Sequence, residues 1–300
     1  VTLRIIKAEE WEAVRASLPP IEQLLNPIVP AYGKTLLHGP PGSGKSAVMW
    51  GIGNAVVRGE PYLGLESKRA RVLLISTDMS LYELKHRWNT AFSPQFDLLC
   101  LPGFDCTKQQ FKASGVYKVV QQYVREYNVQ LIMIDALGGI HSGRSARDDE
   151  VADEVDHRLS EWLPDVSYLL LGHDRKLRYN RDGEPMEPGP EDFLGSQKWR
   201  ANATTQLHMW PVGEYISVLQ HAKSQVAAKL TDKIKLYIDL HGRAELWNEH
   251  RAGEVRAKYR EAVKELGAGA TIGAIAAHYG VSERTVQRWK AMTGGDRGDK

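Results

Sequence analysis

Short apolar runs, each followed by a polar or glycine-rich stretch, recur along the first two-thirds of the chain. Thr35-Leu36-Leu37-His38, Arg71-Val72-Leu73-Leu74-Ile75-Ser76, Leu131-Ile132-Met133-Ile134 and Tyr168-Leu169-Leu170-Leu171 have the unbroken hydrophobic character of strands covered on both faces. A further short strand is expected over 96–101. Between these runs the apolar positions switch to helical spacing, as in Val116, Val119, Val120, Tyr123 and Val124. The pattern predicts helices over 46–57, 81–89, 111–128 and 148–162. Strands alternating with helices indicate an α/β fold with a mostly parallel central sheet and crossover helices. Alternating runs near 205–209, 216–221 and 233–240 predict hairpins closing one edge of that sheet. Residues 1–34 read as a lead-in, with a short helix broken by Pro19-Pro20. The main domain is expected over 35–245, a linker over 246–253, a small all-α domain over 252–292, and a disordered tail over 293–300.

The first strand runs into Gly39-Pro40-Pro41-Gly42-Ser43-Gly44-Lys45-Ser46, which satisfies the P-loop pattern at every fixed position, and Ala47 continues into a helix. Glycines at 39, 42 and 44 let successive backbone N–H groups converge on an anion, and the helix N-terminus adds its positive dipole end. Lys45 supplies a charge for the β/γ-phosphates, and the Ser46 hydroxyl suits Mg²⁺. The segment predicts binding of a nucleoside triphosphate, ATP with Mg²⁺.

Three strand ends carry polar residues that could complete such a site. Asp135 closes the 131–134 run and could orient Mg²⁺ and its waters, or simply cap a turn. The next residue is Ala136, so a water-activating carboxylate must come from elsewhere. Asp78, in Ser76-Thr77-Asp78-Met79-Ser80, is the candidate, its alternative role being the N-cap of the next helix. His173 follows the 168–171 run, where it could sense a γ-phosphate or be a structural histidine.

The P-loop, Ser-Thr-Asp-Met-Ser, Ile-Met-Ile-Asp, Gly172-His173-Asp174-Arg175-Lys176 and Gly195-Ser196-Gln197-Lys198-Trp199 follow one another at suitable spacing. Together they resemble the RecA-like core of hexameric replicative helicases of plasmids and phages, the RepA-type group and its DnaB relatives, over about residues 18–240. The resemblance implies a ring-forming, hexameric P-loop NTPase with single-stranded DNA in its central channel. It places Asp78 at the catalytic Glu, one methylene shorter, and His173 at the sensor His. The family's trans-acting arginine falls at Thr204, so Arg200 or Lys223 become its substitutes. The loops 138–147 and 176–193 match the channel loops, with Arg144, Arg147, Lys176, Arg178 and Arg181 for phosphates and Tyr179 for base stacking.

Net charge matters only when divided. Of the formal +2, residues 251–300 hold ten Lys/Arg against six Asp/Glu, or +4, which leaves −2 for the rest. In that basic end, 271–280 and 281–290 read as helix, tight turn, helix, with Gly280 at the turn and Ser282 as N-cap. This resembles a helix-turn-helix of the resolvase or homeodomain-like type. Glu283, Arg284, Gln287, Arg288 and Lys290 would face a major groove, or the bundle could serve protein contacts. Two cysteines, Cys100 and Cys106, make a disulfide framework or zinc site unexpected and point to a reducing cytoplasm. No run is long enough to span a membrane, and no signal peptide is expected. The expectation is an ATP-driven single-stranded DNA helicase with a duplex-binding tail. Its rival is a non-unwinding, ATP-switched DNA-binding regulator or recombination accessory.

Overall fold

A computed structural model describes residues 6–17, 22–88, 96–101, 115–140, 149–174, 188–239, 243–247, 249–267 and 269–294. The apolar runs form one sheet of β3 (Lys34–Gly39), β4 (Arg71–Ser76), β5 (Asp97–Cys100), β6 (Val129–Asp135), β7 (Ser167–His173), β8 (Thr205–Gly213), β9 (Ile216–Ser224), β10 (Ile234–Ile238) and β11 (Ala244–Leu246). Their order is β11-β10-β9-β8-β3-β7-β6-β4-β5. From β8 to β5 every pairing is parallel, whereas β9, β10 and β11 add antiparallel strands at one edge.

Side-chain alternation divides the central strands between two cores. Leu37, Leu74, Met133, Leu169 and Leu207 pack on one face with α2 (Lys45–Arg58). Leu36, Leu73, Ile132, Ile134 and Leu170 pack on the other with α4 (Val116–Tyr127) and α5 (Asp149–Trp162). Both faces are buried, which is why these strands read as continuous rather than alternating. The remaining helices of the main domain are α1 (Trp11–Ser17), α3 (Leu81–Trp88) and α6 (Gln197–Asn202).

The lead-in differs from expectation. β1 (Gln23–Leu25) and β2 (Val29–Pro30) pair as a small hairpin, and Leu24, Leu25, Ile28 and Val29 are buried in the α2-side core. Residues 22–34 therefore belong to the main domain. Apolar pairs on either side of a proline turn are too short for periodicity to register.

The C-terminal domain consists of α7 (Glu249–Leu266), α8 (Ile272–Tyr279) and α9 (Glu283–Gly294). Helix α7 begins inside the expected linker, and α9 continues two residues into the expected tail; the rest of that tail, 295–300, lies outside the described residues. Ala262, Ile275, Ala276 and Val286 form the core, with Val281 and Trp289 packed against it. Thr271 accepts from the Ala274 amide at 3.2 Å, and Ser282 accepts from the Thr285 amide at 3.2 Å, capping α8 and α9. Gly280, at φ 63°, supplies the left-handed residue between them. Because Val286 is fully buried in so small a core, Val286→Ala should destabilise this domain by roughly 2 kcal/mol. Calorimetry of the full chain should show an earlier C-terminal transition while nucleotide affinity stays unchanged.

Candidate active site

The ends of four adjacent strands, β3, β7, β6 and β4, carry the P-loop, His173, Asp135 and Asp78 along one edge of the sheet. In a parallel sheet this C-terminal edge is where ligands bind. Gly39 ends β3, Pro40 to Gly44 form the loop, and Lys45, Ser46 and Ala47 open α2. Gly42 and Gly44 have φ values of 78° and 86°, so the loop turns through two left-handed positions that aim its amides inward. At Gly39 a Cβ would stand 1.9 Å from the Met209 carbonyl oxygen, which fixes the loop tightly against β8. The Lys45 ammonium donates to the Pro40 carbonyl at 2.8 Å. Burial lowers its pKa to about 8, against the opposing pull of Asp174 and Asp135.

Asp135 is buried at the end of β6, in register with Ser76. Thr77 ties the two strand ends together. Its amide donates to the Asp135 carbonyl at 2.8 Å, and its hydroxyl donates to the Ala136 carbonyl at 2.8 Å while accepting from the Ala136 amide at 3.0 Å. Sequence reasoning missed this staple, because a Thr beside the more conspicuous Asp carries no signal of its partner.

Asp78 is exposed just beyond the staple. The cap of α3 is Ser80: its oxygen accepts from the Glu83 amide at 3.3 Å, and the Ser80 amide donates to Glu83 Oε2 at 2.8 Å. The alternative role for Asp78 as that helix's cap is therefore taken by another residue. His173 pairs in register with Gly39. Its Nδ1 is buried with no hydrogen-bond partner among the described residues. Burial, followed by the charge of Lys45, lowers its pKa despite Asp78 and Asp174, so the ring is neutral at pH 7.

These features fit a triphosphate with Mg²⁺. The loop presents amides and a lysine to an anion, while the Ser46 hydroxyl and Asp135 carboxylate are hard oxygen donors suited to Mg²⁺.

Arg200 and Lys223 lie elsewhere. Lys223 donates to the carbonyls of Arg200, Ala201 and Ala203 at 2.9, 2.8 and 2.7 Å, so its ammonium caps the C-terminus of α6. Arg200 donates to Gln197 Oε1 at 2.9 Å. β8 begins at Thr205 beside Thr35, and Ser224 pairs with Thr205, so both residues sit at the edge opposite their own P-loop. From Thr35 to Gly39 the strand rises about 13 Å, which sets their backbones back from the loop, although the Arg200 charge still reaches the His38 ring.

Arg144, Arg147, Lys176, Arg178, Tyr179 and Arg181 lie outside the described residues. The described chain before them ends at Ile140, in a 3-10 turn after β6, and at Asp174, just after β7. Glu283, Arg284, Gln287 and Lys290 are exposed on α9; the side chain of Arg288 is outside the description. The other feature missed is a buried cluster of His38, Asp174 and His208 beneath the P-loop. Its signal is present as polar residues within apolar strands, but their meeting requires the strand order.

No helix among the described residues is long and apolar enough to cross a membrane. No curated protein matches the chain. Among solved structures, the ATPase domain of G40P is similar with a TM-score of 0.57 at 12% identity, over 80% of this chain and 96% of that one. A DnaB-like replicative helicase, solved with attention to its interactions with primase, has a TM-score of 0.56 at 12% identity, over 80% of this chain and 65% of that one. At such identity the likeness is one of fold, and it agrees with the RecA-like core expected from the motifs. Residues 254–298 match a homeodomain-like domain, the type expected for the C-terminal helices. Residues 3–178 match the model of an AAA domain, more than half of the chain, and the protein belongs to that family.

Proposed function

We propose that this chain is an ATP-driven, ring-forming motor on single-stranded DNA that uses its C-terminal helix-turn-helix to engage duplex DNA. The observation that carries the reading is the alignment of P-loop, His173, Asp135 and Asp78 on four neighbouring strand ends. Loop amides and Lys45 hold the phosphates. Ser46 and Asp135 would hold Mg²⁺, which neutralises phosphate charge when bound. Asp78 orients and deprotonates the attacking water. His173 would register the γ-phosphate, and it stands shortly before Lys176, Arg178 and Arg181 in the sequence. Arg200 or Lys223, whose backbones lie at the opposite end of the strands from their own P-loop, act on a neighbouring copy; a hexamer with DNA in its channel meets that requirement.

A forked DNA substrate tests this reading. ATPase activity should rise with single-stranded DNA, the forked strand should be displaced, and nucleotide should promote assembly. One observation favours the second reading, a non-unwinding ATP-switched DNA-binding regulator: Lys223 already caps α6 and must be released before acting in trans. DNA-stimulated turnover without strand displacement would favour that regulator. A chain that stays monomeric with nucleotide and oligonucleotide would sink the motor.

A further inference from the structure

Beneath the P-loop, His38 of β3, His208 of β8 and Asp174, the residue after β7, meet in a fully enclosed cluster. His38 Nδ1 lies 2.6 Å from Asp174 Oδ1, and His208 Nε2 lies 2.8 Å from Asp174 Oδ2. On its other side His38 Nε2 faces the Gln206 amide nitrogen at 2.7 Å. Because that amide nitrogen only donates, His38 Nε2 accepts, and the His38 proton resides on Nδ1, donated to Asp174. His208 donates from Nε2, and its Nδ1 has no hydrogen-bond partner among the described residues. Both rings thus donate to one carboxylate. Burial pushes the Asp174 carboxyl up, but the hydrogen bonds from His208 and His38 outweigh it and hold the pKa below the usual range.

The three residues offer donors of the kind a metal uses, yet their facing atoms are already within hydrogen-bonding distance of one another. Packing reinforces the grip. The His38 and His208 rings stack at 4.8 Å, His208 stacks on Trp210 at 4.9 Å, and Phe193 meets the edge of His38 at 5.4 Å. The Asp174 amide also donates to the Gly39 carbonyl at 3.0 Å. Asp174 therefore holds the strand that enters the P-loop through both its backbone and its side chain, directly beside His173.

We infer that Asp174 is a positioning residue for nucleotide hydrolysis: by bridging His38 and His208 it locks the ends of β3, β7 and β8 together and fixes His173 relative to the P-loop. The inference rests on the hydrolysis reading above. A carboxylate accepts from both rings at once, whereas an amide in its place must donate on one side. That reversal would force His208 to the other tautomer and leave a buried N–H without an acceptor.

The test uses the full chain with Asp174→Asn, His208→Leu and His208→Gln, measuring kcat, affinity for a fluorescent nucleotide, and melting temperature. Asp174→Asn and His208→Leu should lower kcat by about 10- to 100-fold, the scale of a small misplacement, and change nucleotide affinity by less than about threefold. His208→Gln, which restores a donor toward Asp174, should recover most of the kcat lost in His208→Leu. In histidine-labelled protein without nucleotide, Asp174→Asn should also move the His173 ring resonance. Lower melting temperatures with wild-type kcat would reduce the cluster to packing and overturn the inference. An unmoved His173 resonance would overturn it whatever the ATPase assay shows. Absence of turnover in the unsubstituted chain would overturn the hydrolysis reading instead, and the His173 resonance would still decide the role of Asp174.

Discussion

Lys45→Ala abolishes nucleotide turnover, by about a thousandfold or more, and weakens nucleotide binding as well. The size follows from where the lysine sits. It is 5% exposed, and the anionic groups that act on it are Asp174 and Asp135, both buried. Removing the ammonium takes away the transition-state partner of the β/γ-phosphates. It also leaves two carboxylates beneath a loop that must accept a polyanion. The same placement gives a pH signature to the unsubstituted protein. Burial lowers the Lys45 pKa to about 8, and only the charged form pairs with phosphate. Nucleotide affinity should therefore be full below that pH and decline above it, by up to about tenfold per pH unit. Equilibrium binding from pH 6.5 to 9.5 checks this, and steady-state assays of Lys45→Ala check turnover. Persistent turnover in that variant would remove the P-loop from the mechanism.

The parts of this site legible in the sequence are those whose chemistry is local. Gly39 to Ser46 is contiguous, and its glycines declare their backbone requirement directly. Asp135, Asp78 and His173 could be placed because each follows a buried run, and a parallel sheet brings such ends to one edge. The helix-turn-helix was legible for the same reason: Ser282, Gly280 and Val286 act within one short stretch. What escaped depends on register between distant strands. His38 and His208 lie opposite one another only because β8 pairs with β3, and Asp174 joins them from the far side of β3. Lys223 shows the same limit: its identity suggests a free cation, and only the fold brings it to the carbonyls of α6. The hairpin at 23–30 was missed because its apolar pairs carry no period.

Asp78→Asn should leave nucleotide binding within about threefold of wild type and reduce hydrolysis by two to three orders of magnitude, within the span expected for lost general-base catalysis. The prediction is clean because the fold does not need this carboxylate. Ser80 and Glu83 already cap α3, and Thr77 makes the staple to β6. Asp78 accepts only a long contact, 3.3 Å from the Thr77 hydroxyl, whose single proton is better placed on the Ala136 carbonyl at 2.8 Å. An exposed Asp with so little to hold should change stability by less than about 0.5 kcal/mol on conversion to Asn. Loss of turnover at unchanged melting temperature would therefore report chemistry rather than folding. Asp78→Glu adds the methylene that separates this residue from the Glu of the helicases it resembles. It keeps the charge and extends its reach, so it should retain turnover that Asp78→Asn loses. If Asn and Glu variants both hydrolyse at the wild-type rate, water is activated elsewhere, and Asp78 is only a solvent-facing residue at the end of β4.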